Sequence, residues 1–386
     1  MVYILTIILS TFFFLLASNQ KFSDNKKKSY VFILVLITIL IPSFIAGIRD
    51  ISVGTDTRGY LLADYNISLN TSKLNSAINS SNEELGFVTL VFLVTKVFKN
   101  FNILMFIIEL IITSFVVKFA LKSDNKKEAI YIYLFYMILC FGESLCIMRQ
   151  HISFAILLYT TKLLKEKKYF PTVVLFIIAY SFHSSAICFI LIYYLMSLIN
   201  KNTVLNLKKH YFIILLIFSV CILNINSIIN FLINVVHVLP SRYSLYINSS
   251  WFYTTGNVNV LTFRFFLDLL FIIVMFICYS FESNEYQKKL NLFSLILLII
   301  NLVLYIKSRK FLILSRFSIY FFYGAILLNP LFVKNLNIND KIKLNNNANF
   351  KFVLNIVLFI LIFATFYGVV ILNANNYNLI PFSSIF

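Results

Sequence analysis

Apolar runs recur along the whole chain, at about 2–17, 30–48, 85–98, 101–120, 129–147, 150–165, 170–199, 210–232, 260–281, 290–306, 311–330 and 351–373. A hydrocarbon core is crossed by roughly 20 apolar residues in a helix, and only structures that satisfy their own backbone survive there. The pattern therefore predicts an all-α, polytopic integral membrane protein with about ten to twelve transmembrane helices. One transmembrane domain over 1–386 is expected, because the polar connections 49–84, 233–259 and 331–350 are too short to fold as soluble domains. The first run, Val2 to Ala17, lacks a basic start and a small-residue cleavage site, so a first membrane helix is expected rather than a removed signal peptide.

Composition agrees: 60% of the residues are apolar and 12% charged, against about half and a quarter in soluble chains. The net charge of +18 comes from basic residues in short clusters between apolar runs. There they act as topology signals and contacts for anionic lipid, so no nucleic acid partner is expected. Cys140, Cys146, Cys188, Cys221 and Cys278 lie within or at the ends of apolar segments without metal-ligand spacing, and read as packing residues.

Lysines in short loops stay on the cytoplasmic side during insertion. Lys21 and Lys26 to Lys28 place the first loop inside and the 49–84 loop outside. Lys118 to Lys127 is also expected inside, which leaves room for an odd number of crossings between Leu85 and Ala120; the shorter run, 85–98, is expected to be re-entrant or interfacial. The 30-residue run 170–199 is flanked by lysines on both sides, and a straight helix of that length would reach about 45 Å. A break is expected at Ser181, His183, Ser184 and Ser185. The 331–350 connection is expected to be a cytoplasmic loop and 233–259 an outer one.

This topology separates the two basic residue types. Lysines number 26 and fall mostly inside, whereas Arg49, Arg58, Arg149, Arg242 and Arg264 fall at the outer face, and Arg309 and Arg316 open the 311–330 helix there. A topology code would use both types alike. Arginine's planar fork binds phosphate oxygens bidentately and keeps its charge in a low-dielectric site, so the segregation suggests outer-face chemistry.

The densest polar segment is Gly47 to Tyr60, with Arg49, Asp50, Gly54, Thr55, Asp56, Arg58 and Gly59 directly after the second helix. It reads either as a capped helix end with surface ion pairs or as a cradle for an anionic headgroup. Arg149 stands between two apolar segments, in a simple interhelical turn or at a site. His183 lies inside a long apolar run, where a histidine is either a packing residue or a proton-transfer group. Arg242-Tyr243 precedes Trp251, Phe252 and Tyr253, aromatics that suit an interfacial belt or a stacking surface for sugar rings. Arg264 and Asp268 are most simply an intrahelical ion pair, and Glu109, Glu143 and Asp268 each require a partner within an apolar segment.

In order along the chain, Arg49, Val53-Gly54-Thr55-Asp56-Thr57 with Tyr60, Glu84-Leu85-Gly86-Phe87, Arg149-Gln150, Ser181-Phe182-His183-Ser184-Ser185-Ala186 and Ser315-Arg316-Phe317-Ser318-Ile319-Tyr320 resemble the EpsG family of Wzy-type (O-antigen polymerase-like) polysaccharide polymerases. The resemblance spans roughly Gly47 to Leu328; no motif is discernible in 331–386. It implies an enzyme of the bacterial cytoplasmic (inner) membrane that joins repeat units carried on undecaprenyl diphosphate at the outer leaflet, in capsule, exopolysaccharide or O-antigen synthesis. It also implies a lipid-linked glycan substrate within the bilayer, a flippase and a chain-length regulator as partners, and no cofactor or metal. Displacing a diphosphate requires charge stabilisation, which places Arg49, Arg149 and Arg316, with Arg242 and Arg264 behind them, at the diphosphate. His183 or Asp56 would take the acceptor proton, with Gly54, Thr55 and Tyr60 shaping the loop.

A flippase for lipid-linked oligosaccharide would also use buried arginines, but with inverted repeats and charges reaching both faces. A membrane acyltransferase would need a histidine with a fixed partner and an opening to a cytoplasmic donor. The topology makes a direct prediction. Cysteines introduced at positions 56 and 242 should react with a membrane-impermeant thiol reagent added outside intact cells; protection of both overturns the orientation.

Overall fold

A computed structural model of the chain describes residues 2–19, 25–123, 125–201, 203–224, 263–282, 284–309, 313–329, 379 and 382–385. The expected outer loop 233–259 with Arg242, the expected cytoplasmic loop 331–350 and the apolar run 351–373 lie outside the described residues. Among those described, regular structure is helical, and one isolated antiparallel bridge joins Arg49 to Ser384. The chain forms two compact units, residues 1–187 with 332–386, and residues 188–331.

The first unit contains α1 (Val2–Asn19), α2 (Asn25–Ile48), α3 (Leu62–Asn70), α4 (Leu74–Ser80), α5 (Leu85–Phe98), α6 (Phe101–Leu121), α7 (Lys126–Leu139), the single turn α8 (Phe141–Ser144), α9 (Met148–Lys165) and α10 (Tyr169–Phe182). Val2–Asn19, Lys28–Ile48 and Phe101–Leu121 are long and apolar enough to cross a membrane. By contrast α5, at 14 residues, rises about 21 Å and falls short of a hydrocarbon core of about 30 Å.

Helix contacts here use small and hydroxyl residues, as expected where lipid offers apolar groups no incentive to leave it. Ser10 donates to the Thr38 carbonyl at 2.7 Å and meets the Tyr133 hydroxyl at 2.6 Å, while Phe14 stacks on Tyr133. The acids of the apolar segments find their partners. Glu109 accepts from Thr113 at 3.0 Å and from Ser144 at 2.9 Å, and Glu143 lies 3.8 Å from His151 Nε2. Residues 379 and 382–385 lie against the first unit's helices: Tyr3 donates to the Leu379 carbonyl, the Asp50 N–H to Ser383 at 2.8 Å, and the Ile385 N–H to Ile48 at 3.0 Å.

The 170–199 run is broken where its polar cluster predicts. The first helix, α10, stops at Phe182, His183 is extended (φ −158°, ψ 122°), and a 3₁₀ turn spans Ser184–Cys188. Packing gives the reason: Ser184 turns its N–H toward Glu84 at 3.2 Å instead of continuing the helical ladder.

In the second unit are α11 (Phe189–Lys201), α12 (Val204–Leu223), α13 (Phe263–Phe281), α14 (Glu285–Ser308) and α15 (Ile313–Leu327). Of these, α14 is long and apolar enough to cross a membrane, and it packs against α13 and α15. Buried amides join them: Gln287 Nε2 donates to Asn291 at 2.9 Å and Asn329 at 3.0 Å, and Asn291 donates to the Cys278 carbonyl at 3.1 Å.

At the crossing of α2 and α6, a Cβ on Gly47 would lie 3.0 Å from Phe106 Cβ and 3.3 Å from the Asn102 carbonyl, whose own side chain donates to the Gly47 carbonyl at 2.6 Å. Gly47→Ala should therefore force the helices apart and cost about 1–3 kcal/mol, read as a lowered Tm of the purified chain.

Candidate active site

The segment after α2 is built around a buried cation. Arg49 is 1% exposed; its Nη1 donates to the Leu145 carbonyl, and its Nε and Nη2 approach the sulfurs of Met105 and Met148 at 3.4 and 3.5 Å. Asp50 accepts from the N–H and hydroxyl of Ser52, closing a turn. Gly54 follows at φ +94°, the left-handed region that favours glycine, and a Cβ there would sit 2.8 Å from Thr57 Oγ1 and 3.1 Å from the same Leu145 carbonyl. Thr55 Oγ1 lies 3.1 Å from Cys146 Sγ. The Gly-Thr-Asp loop is thus seated on the Leu145–Cys146 turn that leads into α9. Beyond it the backbone makes one π-helical turn, Thr57–Leu61, an irregularity common at functional sites.

Arg149 stands in the first turn of α9, where the helix dipole is unfavourable to a cation. Two acids offset it. Arg149 Nη1 pairs with Glu83 Oε2 and, at 2.5 Å, with Glu84 Oε2. Its guanidinium lies over the rings of Tyr60 and Phe87, with centroids 5.5 and 5.7 Å away. Glu84 Oε1 also accepts the Ser184 N–H at 3.2 Å, and the Ser185 hydroxyl lies 2.5 Å from His183 Nδ1. Behind them, Ser81 donates to Asp64 Oδ1 at 2.7 Å and accepts the Glu83 N–H at 3.0 Å. Gly86 lets the break after α10 approach: a Cβ there would meet Ser181 Oγ at 2.3 Å and its carbonyl at 2.8 Å.

Electrostatics divide the two glutamates. Burial pushes the Glu83 carboxyl up to about 7 against the pull of Arg149, and the charges of Glu84, Asp64 and Asp56 push the same way. Burial also works against an ionised Glu84, yet Arg149, His183 and the Ser184 N–H hold it below the usual carboxylate range. Asp64 is raised by burial, opposed by Ser81 and Arg149. Among the described residues, no group of three or more His, Cys, Asp or Glu is placed to hold a metal ion.

Of the residues singled out in the sequence, Arg149, His183, Tyr60 and Asp56 come together with the Glu84-Gly86-Phe87 segment. Gly54 and Thr55 support them from the adjacent turn, and Arg49 is engaged by protein groups one turn away. Arg264 and Arg316 belong to the second unit. Arg264 pairs with Asp268 at 3.1 Å, the intrahelical pair its spacing suggests, and lies 3.9 Å over the Phe322 ring; Arg316 is half-buried on α15. Sequence reasoning passed over Glu83 and Asp64. A signal for Glu83 existed: acids number 15 in the whole chain, and two of them adjoin at the mouth of an apolar helix.

Gly86→Ala should displace Ser181 and pull Ser184 and His183 away from Glu84. A stability loss of about 1–3 kcal/mol is expected together with loss of function, read by Tm and by glycan length on complementation.

No curated protein matches the chain, and no solved structure does. A family model described as the EpsG family matches residues 32–384, and so runs through the C-terminal stretch in which no motif is discernible. With nearly the whole length matched, this chain belongs to the EpsG family, a Wzy-like family of polysaccharide polymerases.

Proposed function

We propose that the chain joins oligosaccharide repeat units carried on undecaprenyl diphosphate, at the outer leaflet of the bacterial cytoplasmic membrane. The observation that carries this reading is the convergence of three separated segments on Arg149 at the start of α9: the loop ending at Tyr60, the Glu83–Phe87 segment and, through Glu84, the break at His183. The lysine pattern assigns that cluster to the outer face of a multi-pass protein with about ten to twelve crossings.

In this reading the growing glycan on one carrier lipid is transferred to a sugar hydroxyl of a unit on another. A C–O bond forms at the anomeric carbon, and undecaprenyl diphosphate leaves with the bonding electrons. Arg149 binds the diphosphate, its fork matching two phosphate oxygens and its charge stabilising the leaving group. Tyr60, exposed beside it, offers a ring face to a sugar. His183, its Nδ1 engaged by Ser185, would donate through Nε2 to a phosphate or sugar oxygen. Asp56 orients sugar hydroxyls from the loop. Arg49 acts by positioning, because it fixes the Leu145 carbonyl four residues before Arg149. Arg242, Arg264 and Arg316 remain further candidates for the diphosphate.

A strain lacking the gene, complemented with Arg149→Ala, His183→Ala or Asp56→Ala, should accumulate single lipid-linked units on the outer leaflet. Long glycan should fall about a hundredfold for Arg149→Ala. Accumulation on the inner leaflet instead would favour a flippase.

A further inference from the structure

In the second unit, where α12 and α13 pack on α14, two cations share one aromatic ring. Lys208 of α12 and Lys288 of α14 both stand over Tyr279, near the end of α13, each 5.4 Å from the ring centroid. Their ammonium groups are therefore no more than about 11 Å apart. Neither is paired with an acid among the described residues. Acids close by in sequence are turned elsewhere: Glu285 pairs with Lys289 at 3.1 Å, and Glu282 accepts the Asn284 N–H at 2.8 Å. The Tyr279 hydroxyl is buried without a hydrogen-bond partner among the described residues. Buried amides fix this arrangement. Gln287, next to Lys288, donates to Asn291 and Asn329, and Asn291 donates to the carbonyl of Cys278, next to Tyr279. One turn beyond Lys208, Tyr211 donates to the Leu195 carbonyl at 3.1 Å and ties α12 to α11.

Two ammonium groups collected on one ring call for an anion, and basic pockets between membrane helices on the cytoplasmic side commonly hold lipid headgroups. The surrounding surface decides the anion's source. Phe212 and Leu216 continue the row of Lys208 along α12 at four-residue spacing, and Phe276 precedes Tyr279 by one turn on α13. These three side chains are 66, 52 and 56% exposed. A soluble phosphate would engage the lysines and leave that apolar surface bare, whereas a phospholipid covers both. The lysine pattern assigns this end of the helices to the cytoplasmic face. We propose that Lys208, Lys288 and Tyr279 form a binding site for the phosphate of an anionic phospholipid of the cytoplasmic leaflet. The phosphodiester lies between the two ammonium groups and accepts the Tyr279 hydroxyl, and the acyl chains run over Phe212, Leu216 and Phe276. This site is independent of the polymerase reading, because none of its residues belongs to the cluster around Arg149.

Native mass spectrometry of the purified full-length chain in detergent, with phosphatidylglycerol or phosphatidylcholine added, tests the site. The wild type should hold phosphatidylglycerol more tightly than phosphatidylcholine. Its affinity for phosphatidylglycerol should fall about fivefold for each lysine removed, and so about thirtyfold in Lys208→Gln/Lys288→Gln. The control Lys126→Gln/Lys127→Gln, at the start of α7, should keep the tightest-bound lipid. Equal binding of the two lipids by the wild type overturns the proposal, as does unchanged phosphatidylglycerol affinity in the lysine pair variant or loss of that lipid in the control. Displacement of phosphatidylglycerol by an excess of inorganic phosphate overturns the lipid assignment in favour of a soluble anion. Should the double variant fail to fold, Lys208→Gln alone decides, since that side chain is exposed: a loss of about fivefold supports the site and no loss overturns it.

Discussion

A cation placed where neither a helix dipole nor a low-dielectric surround welcomes it organises the first unit. Arg149 opens α9, and its charge has to be met by acids from elsewhere in the chain. Glu83 and Glu84 meet it, and in doing so they bring the end of the 49–84 loop onto α9. Glu84 then recruits the Ser184 N–H and so stops α10 after Phe182. The glycine at position 86 exists in the same service, since any side chain there would collide with Ser181. Tyr60 and Phe87 complete the enclosure with ring faces, which tolerate the guanidinium without competing for its hydrogen bonds.

A second cation prepares this arrangement from below. Arg49, fully buried, holds the Leu145 carbonyl and the sulfurs of two methionines, one of them adjacent to Arg149. Gly54 packs against the same carbonyl in a conformation other residues avoid, and Thr55 reaches Cys146. The two arginines divide the labour. One is enclosed by protein atoms at the turn, while the other remains partly exposed and engages two acids. The C-terminal residues close over the start of this loop through main-chain bonds at Ile48, Arg49 and Asp50.

The residues at the site form a graded set. Glu84 is kept charged, Glu83 stands near neutrality, Asp64 is raised behind them, and His183 presents a donor. The grading comes from unequal burial around a single arginine.

The alternation of apolar runs and lysine clusters was enough to determine an all-helical membrane protein, the break at residues 181–185 and the shortness of α5, because bilayer thickness and insertion rules act on local composition. The motif order likewise pointed to the polymerase family. Only the tertiary structure decided that Arg49 contacts the Leu145 carbonyl, that Arg264 pairs with Asp268 over the Phe322 ring, and that Glu83 sits against Arg149. These are questions of which charges meet across long sequence separations and how much water reaches them. Arg149 and Glu83 lie 66 positions apart with equal claim to being surface residues in the linear chain; burial on folding is what distinguishes them.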